Sequence, residues 1–485
     1  MGVEDVAVNS STEKAGLAFW MERVVRECDL VVQDCAPDPV HDLRVALRRC
    51  RSIAQAFAAF DPDRSWTDMR KECARLSNKF GELRDTQVMM DWVKKPDAPQ
   101  ELASVILIEH ITLREGELKE AASRALKGFD RKRWNVWAAR LPERAGRIPP
   151  ESPVFPHLAL ERWREARWLH RQALRNRSHI GYHRLRIGLK KFRYTTENFL
   201  PSRHEAWGPA LREIQDLLGE MHDLHVLLQT AIAIRAVPDK ETRGRWRSWI
   251  GEQMRQRLDR YRQMMLGKGS LWPVWRAGLP EGEQLESAIM ERLRTWASFR
   301  DPDCARSKRV AQLAQQLHDG LTRLNFMGAA AAGKSRALLR AAALTHRVGF
   351  SGRRKKGHKE SFRMICRLKT PIGWEASDFK MMALTVLYQR GALPAPGGKE
   401  LRGLSAEQQH LTSMLSGILR LAAAFTESGQ GRISRLSLRK SGQSLVIIAR
   451  GYQEYGPLAQ KLARARYLLE IACGLPIIIR SSGGA

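Results

Sequence analysis

The sequence contains no Cys-x-x-Cys pair. Its seven cysteines (Cys28, Cys35, Cys50, Cys73, Cys304, Cys366, Cys473) are odd in number and scattered, which argues against a disulfide framework and against a cysteine-based zinc site. Long apolar runs are also missing: no stretch approaches the ~20 residues a membrane-spanning helix needs. Met1 to Ser10 carry acidic residues and lack the apolar segment of an export signal, so a soluble, cytoplasmic chain in a reducing compartment is expected. Acidic residues are too few to balance the basic ones, with 52 Asp plus Glu against 82 Lys plus Arg and a formal net charge of +30. That surplus exceeds what solubility requires and repels itself, so a polyanionic partner is expected. Nucleic acid, anionic lipid and polyphosphate all satisfy charge alone. The 485 residues exceed what one core usually organises, so at least two domains are expected.

What is present is a repeat. His41-Asp-Leu-Arg-Val-Ala-Leu-Arg-Arg-Cys-Arg-Ser is echoed by His183-Arg-Leu-Arg-Ile-Gly-Leu-Lys-Lys-Phe-Arg-Tyr, and Phe80-Gly-Glu-Leu-Arg-Asp-Thr-Gln-Val by Leu218-Gly-Glu-Met-His-Asp-Leu-His-Val. Two matched blocks in the same order indicate a duplicated unit. On a helical wheel, His41, Arg44, Arg48 and Arg51 share one face, opposite Leu43, Leu47, Cys50, Ile53, Ala54 and Phe57. His183, Arg186, Lys190 and Arg193 share the corresponding face of the second copy, opposite Leu185, Leu189 and Phe192. Like charges at this spacing repel by a few tenths of a kcal/mol per pair. A merely solvated face has no reason to keep that spacing twice, so a ligand for both faces is expected. Glu82, Asp85, Glu220 and Asp223 read as supporting carboxylates that hold the arginines in place. Asp61-Pro62 and Pro201-Ser202 read as stops after each basic helix. No nucleophile is accompanied by its base, so no catalytic residue is assigned.

These two blocks resemble the CHAD family, the histidine-containing α-helical domain, over about residues 12–276. The resemblance implies two pseudo-symmetric helical bundles, repeat one at about 12–140 and repeat two at about 155–276. It further implies that the basic helices face a central channel binding inorganic polyphosphate. Carried onto this sequence, the contacts are His41, Arg44, Arg48, Arg49 and Arg51, with His183, Arg186, Lys190, Lys191 and Arg193; Arg184 adds a further cation. The chemistry agrees, since a guanidinium fork engages phosphate oxygens in pairs and an ammonium adds a point charge.

Beyond a linker expected at 277–302, residues 303–485 read as mostly helical, with a small sheet formed by β-like runs at Ser434 to Leu438 and Leu445 to Ile448. Leu338 to Phe350, Gly357-His-Lys-Glu-Ser, Leu387 to Pro394 and Ile418 to Phe425 resemble the carboxy-terminal HD-type domain of the exopolyphosphatase and guanosine pentaphosphate phosphohydrolase family. The departures from that pattern are numerous. An HD metal site needs clustered imidazoles and carboxylates, yet the expected Asp is Arg347, two expected His positions are Gly357 and Glu360, another is Gln389, and a late Asp is Ala423. Only His346 and His358 remain, so a degenerate module without metal or other cofactor is expected. The run Arg353-Arg-Lys-Lys reads as an extension of the anion surface or as plain solvent contact. Gly328-Ala-Ala-Ala-Ala-Gly333-Lys334-Ser335 satisfies the expression of a phosphate-binding loop, but His318 to Met327 continues a helical pattern where a strand is required.

The expected fold is therefore mainly α, and the expected function is non-catalytic binding of polyphosphate, at polyphosphate granules or in its regulation, with a polyphosphate-metabolising enzyme as a further partner. Two alternatives stand beside it. One is a phosphohydrolase acting on polyphosphate or an alarmone through the second domain. The other is a nucleic-acid binder, against which the basic helices offer little aromatic interleaving for base stacking.

Overall fold

A computed structural model of the chain describes residues 16–33, 37–237, 239–327, 332–350, 356–395, 397–427 and 433–482. It divides into two units, the first running to Gly282 and the second from Glu283, the latter also including Phe60–Pro62. Among the described residues no helix is long and apolar enough to cross a membrane.

Among the described residues unit one is built from helices alone, five for each repeat. The first repeat supplies α1 (Leu17–Gln33), α2 (Pro37–Phe57), α3 (Arg64–Val93), α4 (Leu102–Lys127) and α5 (Arg131–Ala145). The second supplies α6 (Val154–Asn176), α7 (His179–Phe199), α8 (Pro201–Ala233), α9 (Lys240–Met265) and α10 (Leu271–Ala277). Packing repeats with the sequence: α2 lies between α1 and α3, as α7 lies between α6 and α8, and the halves meet where α2 touches α7 and α3 touches α8. The apolar stripes explain this arrangement. Leu43, Leu47, Cys50, Ile53, Ala54 and Phe57 are all buried, as are Leu185, Leu189 and Phe192, so each basic helix buries its apolar side within its own bundle. One core cluster draws on both halves, setting Trp92, Leu107 and Ile111 against Leu224, Leu227 and Trp246.

Local signals fix the ends of the basic helices. Ser178 caps α7 by accepting from the Gly181 amide at 3.1 Å, meeting one of the donors a helix start leaves free. Pro201 starts α8 in a position where its missing N–H costs nothing, and α7 stops at Phe199 before it. Asp63 caps α3 just after Pro62.

Unit two holds α11 (Gly282–Ser298), α12 (Cys304–Arg323), α13 (Ala332–Thr345), α14 (Gly357–Cys366), α15 (Ala376–Leu387), α16 (Ala406–Phe425) and α17 (Pro457–Cys473). Its sheet has the order β1 (Arg435–Ser441), β2 (Ser444–Arg450), β3 (Ile477–Ser481), antiparallel then parallel. The stretch read as a linker thus carries α11, whose Ile289, Leu293 and Trp296 are buried. The two β-like runs are β1 and β2, joined by a tight turn with Gly442 at φ 56°. The third strand had no separate signal, because Ile477 to Ile479 is a short apolar run after a helix, which periodicity cannot distinguish from more helix. Gly417 permits the close crossing of α16 and α17, since a Cβ there would come within 2.9 Å of the Leu469 backbone.

Candidate functional site

The contact between α2 and α7 brings together cations from both repeats. Lys190 lies at its centre, and its ammonium is pushed down to about 7 by burial first, then by Arg186 of its own helix and by Arg48 and Arg44 of the other. Asp223 of α8 opposes this only partly. Burial raises the Asp223 carboxyl to about 6 against the pull of Arg186, and Asp85 of α3 raises it further. The Asp85–Asp223 pair therefore mirrors the relation between the repeats. Arg44 is half-buried, and burial lowers its guanidinium, with Asp85 opposing. It donates through Nη1 to the Phe80 carbonyl at 2.9 Å.

Arg186 lies against α8 at Gly219, where a Cβ would sit 3.7 Å from Nε. The buried Nε atoms of Arg186 and Arg193 have no hydrogen-bond acceptor among the described residues, although Arg193 Nε lies 3.7 Å from Glu197 Oε2. Buried donors on charged groups are normally satisfied. Arg48 faces the ring of Tyr194 on the opposite helix at 5.9 Å, and Arg193 lies 5.4 Å from the same ring.

The remaining expected contacts are placed differently. Arg49 crosses to α7, pairing with Glu197 and donating to Asn198 Oδ1 at 2.8 Å, with the Trp20 ring 4.9 Å away. Lys191 pairs with Glu165 of α6 at 2.7 Å. These two cations bind helices together. His41, Arg51 and Arg184 are exposed, and His41 Nδ1 lies 3.4 Å from Asp42 Oδ1. Among the carboxylates, Glu82 is exposed and Glu220 pairs with Arg257 of α9 at 2.8 Å. Asp85 and Asp223 act on the cationic cluster through their field, and among the described residues neither has an ion pair within 4.0 Å.

His183 joins a group that sequence reasoning missed. His179 Nε2 lies 3.1 Å from His222 Nδ1, the rings of His179 and His225 stack at 3.7 Å, and His183 is 4.6 Å from His222. Burial takes His179 and His222 down to about 4, so both are neutral at neutral pH. The signal was available by comparing the copies, because His222 and His225 stand where the first repeat has Arg84 and Gln87. Among the described residues no group of three or more His, Cys, Asp or Glu is arranged to hold a metal ion.

In unit two the residues do not fit an HD metal site. His346 is buried with Nδ1 2.6 Å from the Ala343 carbonyl, and burial takes it to about 4. Arg347, at the expected ligand position, lies 3.4 Å from Asp301 Oδ1, and Asp301 also accepts from Ser307 at 2.5 Å. Gln389 donates to the His346 carbonyl at 2.9 Å, and Glu360 pairs with Arg363 at 3.3 Å. A guanidinium thus stands at the position where the HD pattern expects a carboxylate ligand, and it faces Asp301. Lys334 and Ser335 of the loop-like motif lie in α13, where Lys334 pairs with Asp378 at 2.8 Å and Ser335 meets His318 Nε2 at 2.8 Å. Residues 328–331 of that motif, 353–355 of the basic run and Cys35 lie outside the described residues.

Fold and site together define a duplicated ten-helix bundle with cations gathered where its halves meet, followed by a helical domain with a terminal sheet. Residues 17–231 match the CHAD domain, and residues 294–458 match domain III of the Ppx/GppA phosphatases. The chain therefore carries a CHAD domain followed by a domain of the Ppx/GppA domain III type, a pairing that fits a polyphosphate-related function. No curated protein matches the chain.

Proposed function

We propose that the protein binds inorganic polyphosphate without hydrolysing it, along a basic groove between α2 and α7. The observation that carries this reading is the setting of Lys190, a half-buried ammonium that burial first, and then Arg186, Arg48 and Arg44 gathered around it, push down to about 7. A cluster of this kind is stable only at a cost in repulsion, and a chain of phosphates removes that cost along its whole length. Arg44, Arg48, Arg186, Lys190 and Arg193 are the inner contacts. His41, Arg51, His183 and Arg184 extend the surface outward, and Arg49 and Lys191 hold the helices that present it. Asp85 and Asp223 keep the empty site from repelling itself apart. Binding in the cytoplasm, on polyphosphate granules or beside a polyphosphate-metabolising enzyme, is the setting this reading implies.

Binding rather than hydrolysis is favoured by the Arg347–Asp301 pair in unit two, which places positive charge where catalysis by a metal needs ligands. Competition on the full-length protein tests the reading. Fluorescent polyphosphate should be displaced by unlabelled polyphosphate more effectively as its length grows, and poorly by single-stranded RNA of equal charge. Equal displacement by RNA would make the site a general polyanion surface and sink the assignment.

A further inference from the structure

The second repeat contains a cavity beside its histidine cluster. It lies between α7, α8 and α9, has a volume of about 340 Å³, and is walled by Leu218, Met221, Met254 and Leu258 on its apolar side. Its polar side carries His179, His183, His222 and Tyr182, with Arg177 and Arg255 also lining it. Several residues of its wall differ from the duplicated positions of the first repeat. Leu218 replaces the larger Phe80, His222 replaces Arg84, and Tyr182 replaces Val40. A groove for a uniform polymer needs the basic helices in both copies but has no use for this difference.

Two unpartnered polar atoms in its wall mark the cavity as a binding site. Tyr182 is 7% exposed, yet its hydroxyl has no hydrogen-bond partner among the described residues, and the buried Nδ1 of His183 has none either. Buried polar atoms in a cavity wall normally have partners.

The geometry points to a second site, adjoining the proposed polyphosphate groove at His183, that takes a nucleoside monophosphate. Its size matches a small organic ligand rather than a bare ion. Methionine side chains and imidazole faces suit a flat, polarisable ring. Neutral imidazoles and a phenol offer both donors and acceptors to the edge of a base or to sugar hydroxyls. Arg177 and Arg255 supply the positive charge for a single phosphate group, Arg255 from an exposed pair with Glu252 at 3.0 Å.

Calorimetric titration of the full-length protein with adenosine monophosphate, adenosine and inorganic phosphate tests this. The monophosphate should bind with a sub-millimolar Kd, and adenosine and phosphate should each bind at least about tenfold more weakly. Tyr182→Phe and His222→Gln should each weaken the monophosphate at least about fivefold with unchanged thermal unfolding. Arg48→Glu should leave it unaffected while weakening polyphosphate, so that the two sites succeed or fail separately. Equal binding of inorganic phosphate, no monophosphate binding up to about 10 mM, or loss of monophosphate binding in Arg48→Glu would each overturn the proposal. Should either single variant unfold, monophosphate binding to the other decides.

Discussion

Raising the pH at fixed ionic strength should weaken polyphosphate binding, and Lys190 sets the size of the effect. Its ammonium lies at about 7 in the free protein against an ordinary 10.5, because burial, Arg186, Arg48 and Arg44 all disfavour the charge. A polyanion beside it favours the charged form and moves it back toward the ordinary value. Above neutrality the protein must therefore take up close to one proton at Lys190 as it binds, and affinity falls by up to about tenfold, or about 1.4 kcal/mol, per pH unit. Between about pH 7 and about pH 9 this amounts to a loss of up to about 100-fold. Lys190→Met should bind less well at neutral pH but with a much flatter profile, and Lys190→Arg, whose charge is permanent, should stay flat while retaining affinity. Titrations in buffers of different ionisation enthalpy count the protons directly. A profile equally steep in Lys190→Met would refute the argument. The same shift acts on the free fold in the opposite sense. The unfolded chain holds the Lys190 proton up to about 10.5 and the fold only up to about 7, so this residue makes the empty protein more stable as pH rises between those values.

Other consequences concern single residues. Asp223→Asn removes a carboxylate that must face the incoming phosphates, so polyphosphate should bind more tightly, by about threefold to tenfold in a fluorescence titration. Arg49→Ala breaks an ion pair whose side chains are 18% and 14% exposed, and it should cost about 3 kcal/mol of unfolding free energy in urea titrations. Its effect on affinity should be smaller than that of Arg48→Ala, since Arg49 is committed to Glu197 and Asn198. Gly417→Ala forces a Cβ against the Leu469 backbone and should destabilise unit two by about 1–3 kcal/mol, read as an early thermal transition. Purified protein given magnesium or manganese should release no phosphate from polyphosphate in a colorimetric assay; sustained release would revive the hydrolytic reading.

The duplication, the apolar stripes and the cationic faces were legible because local spacing encodes them. A helix period places Leu43, Leu47 and Phe57 on one side whatever the helix packs against. Periodicity does not say which neighbour covers the polar side. That is why Arg48 and Arg49, adjacent in sequence and alike in charge, have different fates: the partners that separate them, Tyr194 and Glu197, belong to the other repeat. The supporting role expected of Glu220 fell to a different arginine for the same reason, since Arg257 reaches it from α9. The histidine cluster is not encoded in the repeat itself, because His222 and His225 belong to the second copy and stand where the first has Arg84 and Gln87. Strand β3 is not encoded locally either, because a short apolar run takes its structure from the strand it pairs with.

The central claim is that cations from both repeats act on one ligand. Equilibrium binding of a long polyphosphate to wild-type protein, Arg48→Glu, Lys190→Glu and the outlying Arg184→Glu tests it most directly. Each inner reversal should weaken binding by at least about 100-fold, and the double variant should lose less than the product of the two, because both side chains serve the same stretch of polymer. Arg184→Glu should cost at most about threefold. Equal losses in all three single variants, or strictly multiplicative losses at Arg48 and Lys190, would mean that charge is read over the whole surface and that no shared groove exists.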